Sequence, residues 1–287
     1  DMADQLKGEI GVLDDSLRAF ELDIDKLQTR LREARTLITE VNLGATAIGT
    51  GNNAPAGYAQ KVIPMLAHIS GVPVVKAANL VEATQDTGGF VQHSGVLKRV
   101  ACKLSKICND LRLLSSGPQA GFGDIHLPAR QAGSSIMPGK VNPVIPEVMN
   151  QVAFEVIGND VTITMASEAG QLQLNAFEPI MGYAIHKSLR HLTHACRTLQ
   201  VNCVEGIQAN HELLARRIAE SVTLVTALNP IIGYEKAALI AKTALASGGT
   251  IAEVAERLGI MSAQDMHALL VPEKLTQPVR LASSSTA

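Results

Sequence analysis

The sequence predicts an all-α protein, with a long central helical bundle and a small helical C-terminal domain. Apolar residues recur at helical spacing along several stretches of about 25 residues, and a helix of that length is about 37 Å long. Aromatic residues make up only 3% of the 287 residues and Trp is absent, whereas β-sandwiches favour aromatic side chains. The length suits one or two domains of roughly 100–200 residues each. We place the bundle at residues 1–206 and the C-terminal domain at residues 207–287.

The first predicted helix carries a heptad stripe, in which apolar residues are spaced alternately four and three positions apart. The stripe comprises Leu13, Leu17, Phe20, Ile24, Leu27, Leu31, Ala34, Ile38 and Val41. This spacing is typical of a long helix with a narrow seam for other helices. A glycine-rich stretch from Gly44 to Gly51 ends the helix. Because no strand precedes its GxG, at Gly49–Gly51, we interpret these glycines as positions of close backbone packing, not as a dinucleotide-binding turn.

Three more long helices follow in the predicted bundle. One runs from about Phe90 to Ser115 and stops at Gly117-Pro118. The next begins near Pro143 or Pro146, where Asn142 fits the N-cap position and Pro143 the first helical position. The last spans Glu178 to Val204. Several long helices, with no alternating apolar and polar residues between them to predict a β-strand, indicate a helical bundle.

The pattern changes after about Ile207, where the helices become short and are separated by glycine and proline. Thr250-Ile-Ala-Glu253 has the spacing of a capping box, which opens a helix. Ser262 is expected to open the next helix. These short helices indicate the small C-terminal domain.

The composition argues against several partners. The net charge is −2, and nucleic-acid binding usually needs a clustered basic surface. No run of 18 or more apolar residues is present to predict a membrane span. The four cysteines, Cys102, Cys108, Cys196 and Cys203, form no CxxC pair and fit buried helical positions. We therefore expect a reduced, cytoplasmic protein without a metal site.

One loop between two predicted helices carries residues suited to chemistry, namely Gln131-Ala-Gly-Ser-Ser-Ile-Met-Pro-Gly-Lys-Val-Asn-Pro143. Lys140 offers a cation and Asn142 offers amide donors. The next helix adds free N–H groups at the positive end of its dipole, so the loop could hold a carboxylate. Ser134 or Ser135 could then act on the bound substrate. No His–Asp pair nearby completes a triad, and a serine-rich loop of this composition is more often only a helix connector.

The segment Gly133-Ser-Ser-Ile-Met-Pro-Gly-Lys-Val-Asn-Pro143 resembles the signature loop of the aspartase/fumarase superfamily. The resemblance extends from about Arg18 to the C-terminus. Further blocks that support it are Val41–Gly51, Leu80–Asp86, Lys106–Arg112 and Gly158–Asp160.

Two branches of this superfamily share the signature, the aspartate ammonia-lyases and the class II fumarases. Four segments are similar to the aspartase branch: Val41–Thr46, Leu113–Gly117, Pro143–Val148 and Glu168–Asn175. Fumarases tend to have Thr-Gln-Cys/Ser-Glu after the loop proline. We therefore favour an aspartase-like lyase, with a class II fumarate hydratase as the alternative.

The resemblance implies a mechanism that needs no organic cofactor. Ser134 would act as the catalytic base in its alkoxide form, on a mobile loop that closes over the substrate. Ser135, Lys140 and Asn142 would bind the substrate, a small dicarboxylate or amino acid. Members of the superfamily are homotetramers with active sites shared between subunits.

The sequence also departs from the family pattern. Two further active-site blocks of the family lie N-terminal to the part matched here, and we find neither. We therefore expect the N-terminal domain to be absent from this chain. A third hypothesis follows, in which the chain is a catalytically incomplete oligomeric scaffold derived from the superfamily.

Overall fold

The computed structural model describes residues 25–117, 119–131, 137 and 139–271. Most of these residues are helical, which confirms the predicted all-α fold class. They form two compact units, one of residues 25–208 and the other of residues 209–271. No helix in these ranges has both the length and the apolar character needed to cross a membrane.

The first unit contains six α-helices and short strands among its described residues. The helices are α1 (25–34), α2 (Tyr58–Ser70), α3 (Leu80–Ala83), α4 (Gly88–Leu114), α5 (Val144–Glu168) and α6 (Glu178–Asn202). Two 3₁₀ helices, Arg35–Ile38 and Val204–Gly206, follow α1 and α6. The strands are β1 (Glu40–Val41), β2 (Val75–Lys76), β3 (Ile125–His126) and β4 (Gln208–Ala209), and the first residue of β4 is the last of this unit.

The three long helices α4, α5 and α6 form the core of this unit, as the sequence predicted. Helix α5 packs against both α4 and α6. Side chains from all three helices meet in one apolar cluster that includes Leu104, Cys108, Met149 and Leu199. Because the three helices pack against one another, they fix the two ends of each loop that joins them.

Polar contacts also join α5 to its two neighbours. Asp160 is only 5% exposed, and its carboxylate accepts hydrogen bonds from Ser94 Oγ at 2.7 Å and Lys98 Nζ at 2.5 Å. The hydrogen bond from Lys98 to Asp160 raises the pKa of that lysine. On the other side, Asn159 Nδ2 donates to Ser188 Oγ at 3.0 Å. A buried carboxylate with two donors is satisfied, so these contacts specify the register of α4 and α5.

The prediction that the first helix continues to Val41 is wrong. Its helical part ends at residue 34, a 3₁₀ turn follows, and Val41 lies in β1. Strand β1 pairs in parallel with β2, and Ala77 N donates to Val41 O at 3.1 Å. β-branched residues at 36, 38, 39 and 41 favour this extended end. Ile38 is 42% exposed, and the stripe positions before residue 25 lie outside the described residues.

Some apolar residues of the long helices are exposed. Val148 on α5 and Leu189 on α6 point outward, because the buried face of α5 instead follows Met149, Ala153 and Val156. Cys102 and Cys196 are exposed, whereas Cys108 and Cys203 are buried as predicted. Burial raises the pKa of the Cys108 thiol to about 12, which keeps it a neutral packing residue.

The interpretation of Gly49 as a position of close backbone packing is confirmed. Its φ is +83°, and a Cβ there would lie 2.2 Å from Val81 Cα on α3. Only glycine fits such an approach in this conformation.

The second unit is built from short helices, namely α7 (His211–Glu220), α8 (Asn229–Ile232), α9 (Tyr234–Ser247), α10 (Ile251–Arg257) and α11 (Ala263–Leu269), with a 3₁₀ helix at Val222–Leu228. Its core includes Ile240, Ala255 and Met266, which are all fully buried. The predicted capping box is confirmed, since Thr250 N donates to Glu253 Oε2 at 2.9 Å and Glu253 N donates to Thr250 Oγ1 at 3.3 Å. Ser262 also caps α11 as predicted.

Glu155 links α5 to α6 and gives the first testable prediction. Its carboxylate contacts Lys187 Nζ at 2.6 Å and also His191 Nδ1. The hydrogen bond from Lys187, and next the one from His191, lower the pKa of Glu155 below its ordinary value of 4.5. A carboxylate with a lowered folded-state pKa stabilises the fold above its unfolded pKa, and this stability is lost as the pH falls through the folded-state value.

We therefore expect the free energy of unfolding to fall as the pH drops below about 4.5, with Glu155 contributing part of the slope. Glu155→Gln should flatten that slope and lower stability at neutral pH. Urea unfolding on both sides of this pH measures the effect, with Glu168→Gln, exposed at the end of the same helix, as control. An equal slope in Glu155→Gln and the unaltered chain would contradict the assignment.

Candidate functional site

The signature loop joins the region after α4 to the start of α5. Its described residues are Gln131, Met137 and those from Gly139 onward. Ser134 and Ser135, the predicted base and its neighbour, lie outside the described residues. Lys140 and Asn142 are described, are half-buried, and immediately precede α5.

A tight turn positions Lys140 before the helix. Lys140 N donates to Met137 O at 3.2 Å, and Gly139 between them has a φ of +81°. A residue with a Cβ would be strained in that conformation, although the space around Gly139 is open. Gly139 of the signature is therefore needed for its backbone conformation. The turn fixes the backbone position from which the Lys140 side chain extends.

The predicted N-cap of α5 is wrong by one residue. Pro143 is the N-cap, and the side chain of Asn142 makes no capping bond. The carbonyl of Asn142 instead accepts from Val144 N at 2.9 Å, and Pro143 O accepts from Glu147 N at 3.1 Å. Pro146 has no N–H, so the first turn offers fewer free donors to a ligand than the sequence suggested. The role of the Asn142 amide in binding a substrate stays a prediction.

Both ends of the signature loop meet at the C-terminal end of α6. Leu127 before the loop and Ile145 after it pack against the same apolar cluster as Cys203. A narrow crevice between them is lined by Pro128, Asn142 and Asn202, among others. We call residues 127–131, 142–146 and 201–203 the loop base.

Arg130 ties the N-terminal side of the loop base to α6. Its Nε donates to Asn202 O at 3.0 Å and its Nη2 to Val201 O at 3.3 Å. These two carbonyls belong to the last turn of α6, where backbone oxygens have no partner within the helix. Gly206 packs so closely here that a Cβ would lie 2.5 Å from Pro128 Cγ. The chain before the loop is therefore held by both charge and close packing.

A second arginine and a buried amide hold the C-terminal side. Asn150 on α5 is 3% exposed, and its Oδ1 accepts from Arg112 Nη1 of α4 at 3.3 Å. Its Nδ2 donates to Ser105 Oγ at 2.8 Å and to Asn109 Oδ1 at 3.1 Å. Arg112 Nε also lies 4.0 Å from Glu147 Oε1, in the first turn of α5. Asn109 itself is exposed.

Sequence reasoning missed Arg112, Arg130 and Asn150. Two signals were available in the sequence. Asn150 is a polar residue at a position of α5 that the helical period places toward the core, and Arg130 lies just before the loop. Neither signal identifies its partner, because Arg112 and Asn150 are 38 residues apart in sequence. Arg130 and Asn202 are 72 residues apart.

Two other polar positions have structural partners. Asn175 is buried and its Nδ2 donates to Ala166 O at 3.0 Å, while its Oδ1 accepts from Phe177 N at 2.8 Å. His191 contacts Glu155. Within the described ranges no three His, Cys, Asp or Glu residues are grouped to hold a metal ion.

The Asn150 network yields a prediction about stability. Asn150→Ala should cost about 1–3 kcal/mol, because it leaves Arg112 and Ser105 without a buried partner. Gln151→Ala, one residue along α5 and exposed, should change stability by less than about 0.5 kcal/mol. Chemical denaturation of both variants measures the difference, and equal stabilities would show that the network contributes nothing.

Two family profiles match this chain. A profile described as lyase matches residues 14–158, and one described as fumarase C C-terminus matches residues 224–277. The first covers half of the chain and includes the signature loop with Lys140 and Asn142.

Curated relatives and solved structures agree with this match. Aspartate ammonia-lyase from Pseudomonas aeruginosa is 55% identical over 89% of this chain and 53% of its own length. The Escherichia coli aspartate ammonia-lyase is 47% identical over 96% of this chain and 57% of its own. The chain thus spans about half the length of the curated relatives it matches.

Two crystal structures share the fold. One, described as fumarate lyase:delta crystallin from Brucella melitensis bound to cobalt, has a TM-score of 0.87 at 55% identity, covering 91% of this chain and 56% of that one. The class II fumarase from Schistosoma mansoni has a TM-score of 0.79 at 28% identity, covering 88% and 58%. The resemblance to the aspartase/fumarase superfamily is confirmed, and the chain belongs to this lyase family of enzymes.

Proposed function

We propose that this chain supplies the signature-loop part of an active site that eliminates ammonia from L-aspartate to give fumarate. The observation that carries the proposal is that Lys140 and Asn142 lie two residues apart just before α5, with Asn142 in the loop base. Both are half-buried and immediately precede the first turn of α5. A cation and an amide donor at the positive end of a helix dipole suit a dicarboxylate substrate.

The chemistry requires a base and a site for developing negative charge. Ser134, as its alkoxide, removes a proton from Cβ of L-aspartate, and the electron pair moves into the adjacent carboxylate. The doubly charged aci-carboxylate then collapses, the Cα–N bond breaks, and ammonia leaves. Lys140 and Asn142 bind substrate carboxylates and stabilise that charge, while Ser135 contributes a hydroxyl. A serine can act in this way only if cationic groups and N–H donors lower its pKa.

A fumarase-like hydration is the second candidate, supported by the match of residues 224–277 to the fumarase C C-terminus. Identity favours the amine-eliminating reaction, since the two aspartate ammonia-lyases share 47–55% identity with this chain. The Schistosoma mansoni fumarase shares 28%. The residues of the loop base suit either reaction, because both pass through a carboxylate-stabilised carbanion.

Turnover of L-aspartate and of L-malate tests the proposal. We would assay the chain alone, and also mixed with the part of the Pseudomonas aeruginosa relative that the match leaves uncovered. Fumarate from aspartate is expected, with Ser134→Ala lowering kcat roughly 100- to 10,000-fold. Lys140→Gln should raise KM about 10- to 100-fold by removing a charged hydrogen bond.

Matched controls are Ser70→Ala and Lys242→Gln, both at positions that are not part of the loop base. Turnover of malate alone would move the assignment to the fumarase reaction. If neither substrate is turned over, by the chain alone or by the mixture, the enzymatic proposal is overturned and the scaffold hypothesis is left.

We also propose that α5 mediates assembly into a homotetramer with active sites shared between subunits. One face of α5 exposes large apolar side chains at helical spacing: Phe154 at 63%, Val161 at 55% and Met165 at 66%. Such a continuous apolar stripe is unfavourable in water and marks a contact surface. Symmetric self-association of the same face on several copies would bury it.

Phe154→Glu should break this assembly without unfolding the chain, since the side chain is mostly exposed within one subunit. Analytical ultracentrifugation is expected to show a tetramer for the unaltered chain and smaller species for the variant. Leu245→Glu, at an equally exposed position on α9, is the control. A monomeric unaltered chain, or an unchanged tetramer in Phe154→Glu, would contradict the proposal.

A further inference from the structure

We propose that Arg130 and Arg112 are positioning residues that anchor the two stems of the signature loop separately. Arg130 holds the stem that leads to Ser134, and Arg112 holds the stem that carries Lys140 and Asn142. The inference rests on the proposed function, because it assigns these arginines a role in the reaction of that site.

Arg130 makes a two-point contact that fixes both position and orientation. Its guanidinium donates to two successive carbonyls, those of Val201 and Asn202, at the negative end of the α6 dipole. The rigid planar fork of arginine suits such paired acceptors, whereas lysine offers a single flexible point charge. Arg130 precedes Ser134 by four residues, so at most roughly 14 Å of chain separates the anchor from the base. We therefore expect a change at this stem to reach the reaction that Ser134 is proposed to carry out.

Arg112 acts on the opposite stem through α5. It donates to the buried Oδ1 of Asn150 and lies near Glu147. These two contacts fix the first two turns of α5 against α4. Lys140 and Asn142 are joined to that helix through Pro143, whose carbonyl is already bound by Glu147 N. The position of the substrate-binding side chains thus depends on this anchor.

The anchors use different helices, and this separation predicts different kinetic effects. Arg130 contacts the end of α6, whereas Arg112 extends from α4 to α5. Loss of Arg130 should misplace the base and leave the carboxylate-binding groups in place. Loss of Arg112 should misplace the binding groups. If the two arginines only stabilised the fold, their loss would lower stability, but one loss would not act mainly on kcat and the other mainly on KM.

The experiment measures kcat and KM for Arg130→Ala, Arg130→Lys, Arg112→Ala and Arg112→Lys under the conditions that support turnover. Arg130→Ala should lower kcat roughly 10- to 100-fold with KM changed by less than about twofold. Arg112→Ala should instead raise KM about 10-fold with a smaller effect on kcat. The lysine variants should recover part of each loss, because a single donor can still reach one acceptor. Arg190→Ala on the exposed side of α6 is the control.

Gly206→Ala tests the Arg130 anchor without changing charge. Its new Cβ would meet Pro128 at 2.5 Å, so it should push the same stem and reproduce the fall in kcat. Equal effects of both arginine variants on kcat and KM, or wild-type kinetics in Arg130→Ala, would overturn the proposal.

Hydrogen exchange separates this inference from the proposed function. Even without turnover, Arg130→Ala should speed backbone exchange in residues 127–131 while residues 144–150 keep their protection. Arg112→Ala should speed exchange at the start of α5 and leave residues 127–131 unchanged. Exchange that is faster in both segments for either variant, or in neither, would show that the two stems are not anchored separately.

Discussion

Helix α5 packs against α4 on one side and α6 on the other, and the candidate site depends on that packing. The helix begins at Val144, directly after Lys140 and Asn142, so any shift of α5 carries these two side chains with it. Apolar contacts around Met149 supply the attraction. The polar contacts of Asn150 and Asp160 supply the register, because a buried amide or carboxylate tolerates few alternative arrangements.

The same three helices explain why a loop can hold reactive groups in a defined place. Loops usually lie at the surface and are less ordered than the elements they connect. Here the chain on each side of the signature loop is held by an arginine, Arg130 on the end of α6 and Arg112 at the start of α5. In the proposed site, the helices would supply the precision and the residues between the anchors would supply the chemistry.

Much of this architecture follows from the sequence, because helical periodicity is a local signal. The three long helices, the capping box at Thr250 and the close packing at Gly49 were all predicted from neighbouring residues. The predictions that failed depend on distant partners. The first helix ends early because β1 finds a partner at β2, and the α5 N-cap shifts because prolines at 143 and 146 set the first turn.

The candidate site divides in the same way. The motif identified Lys140 and Asn142, but the contacts that position them come from helices far away in sequence, so no local pattern could show them.

The most direct test of the account is a crystal structure of the chain with fumarate bound. We expect one carboxylate of fumarate within hydrogen-bond distance of both Lys140 Nζ and the Asn142 amide, beside the first turn of α5. Fumarate bound elsewhere, with Lys140 directed away from it, would contradict the account.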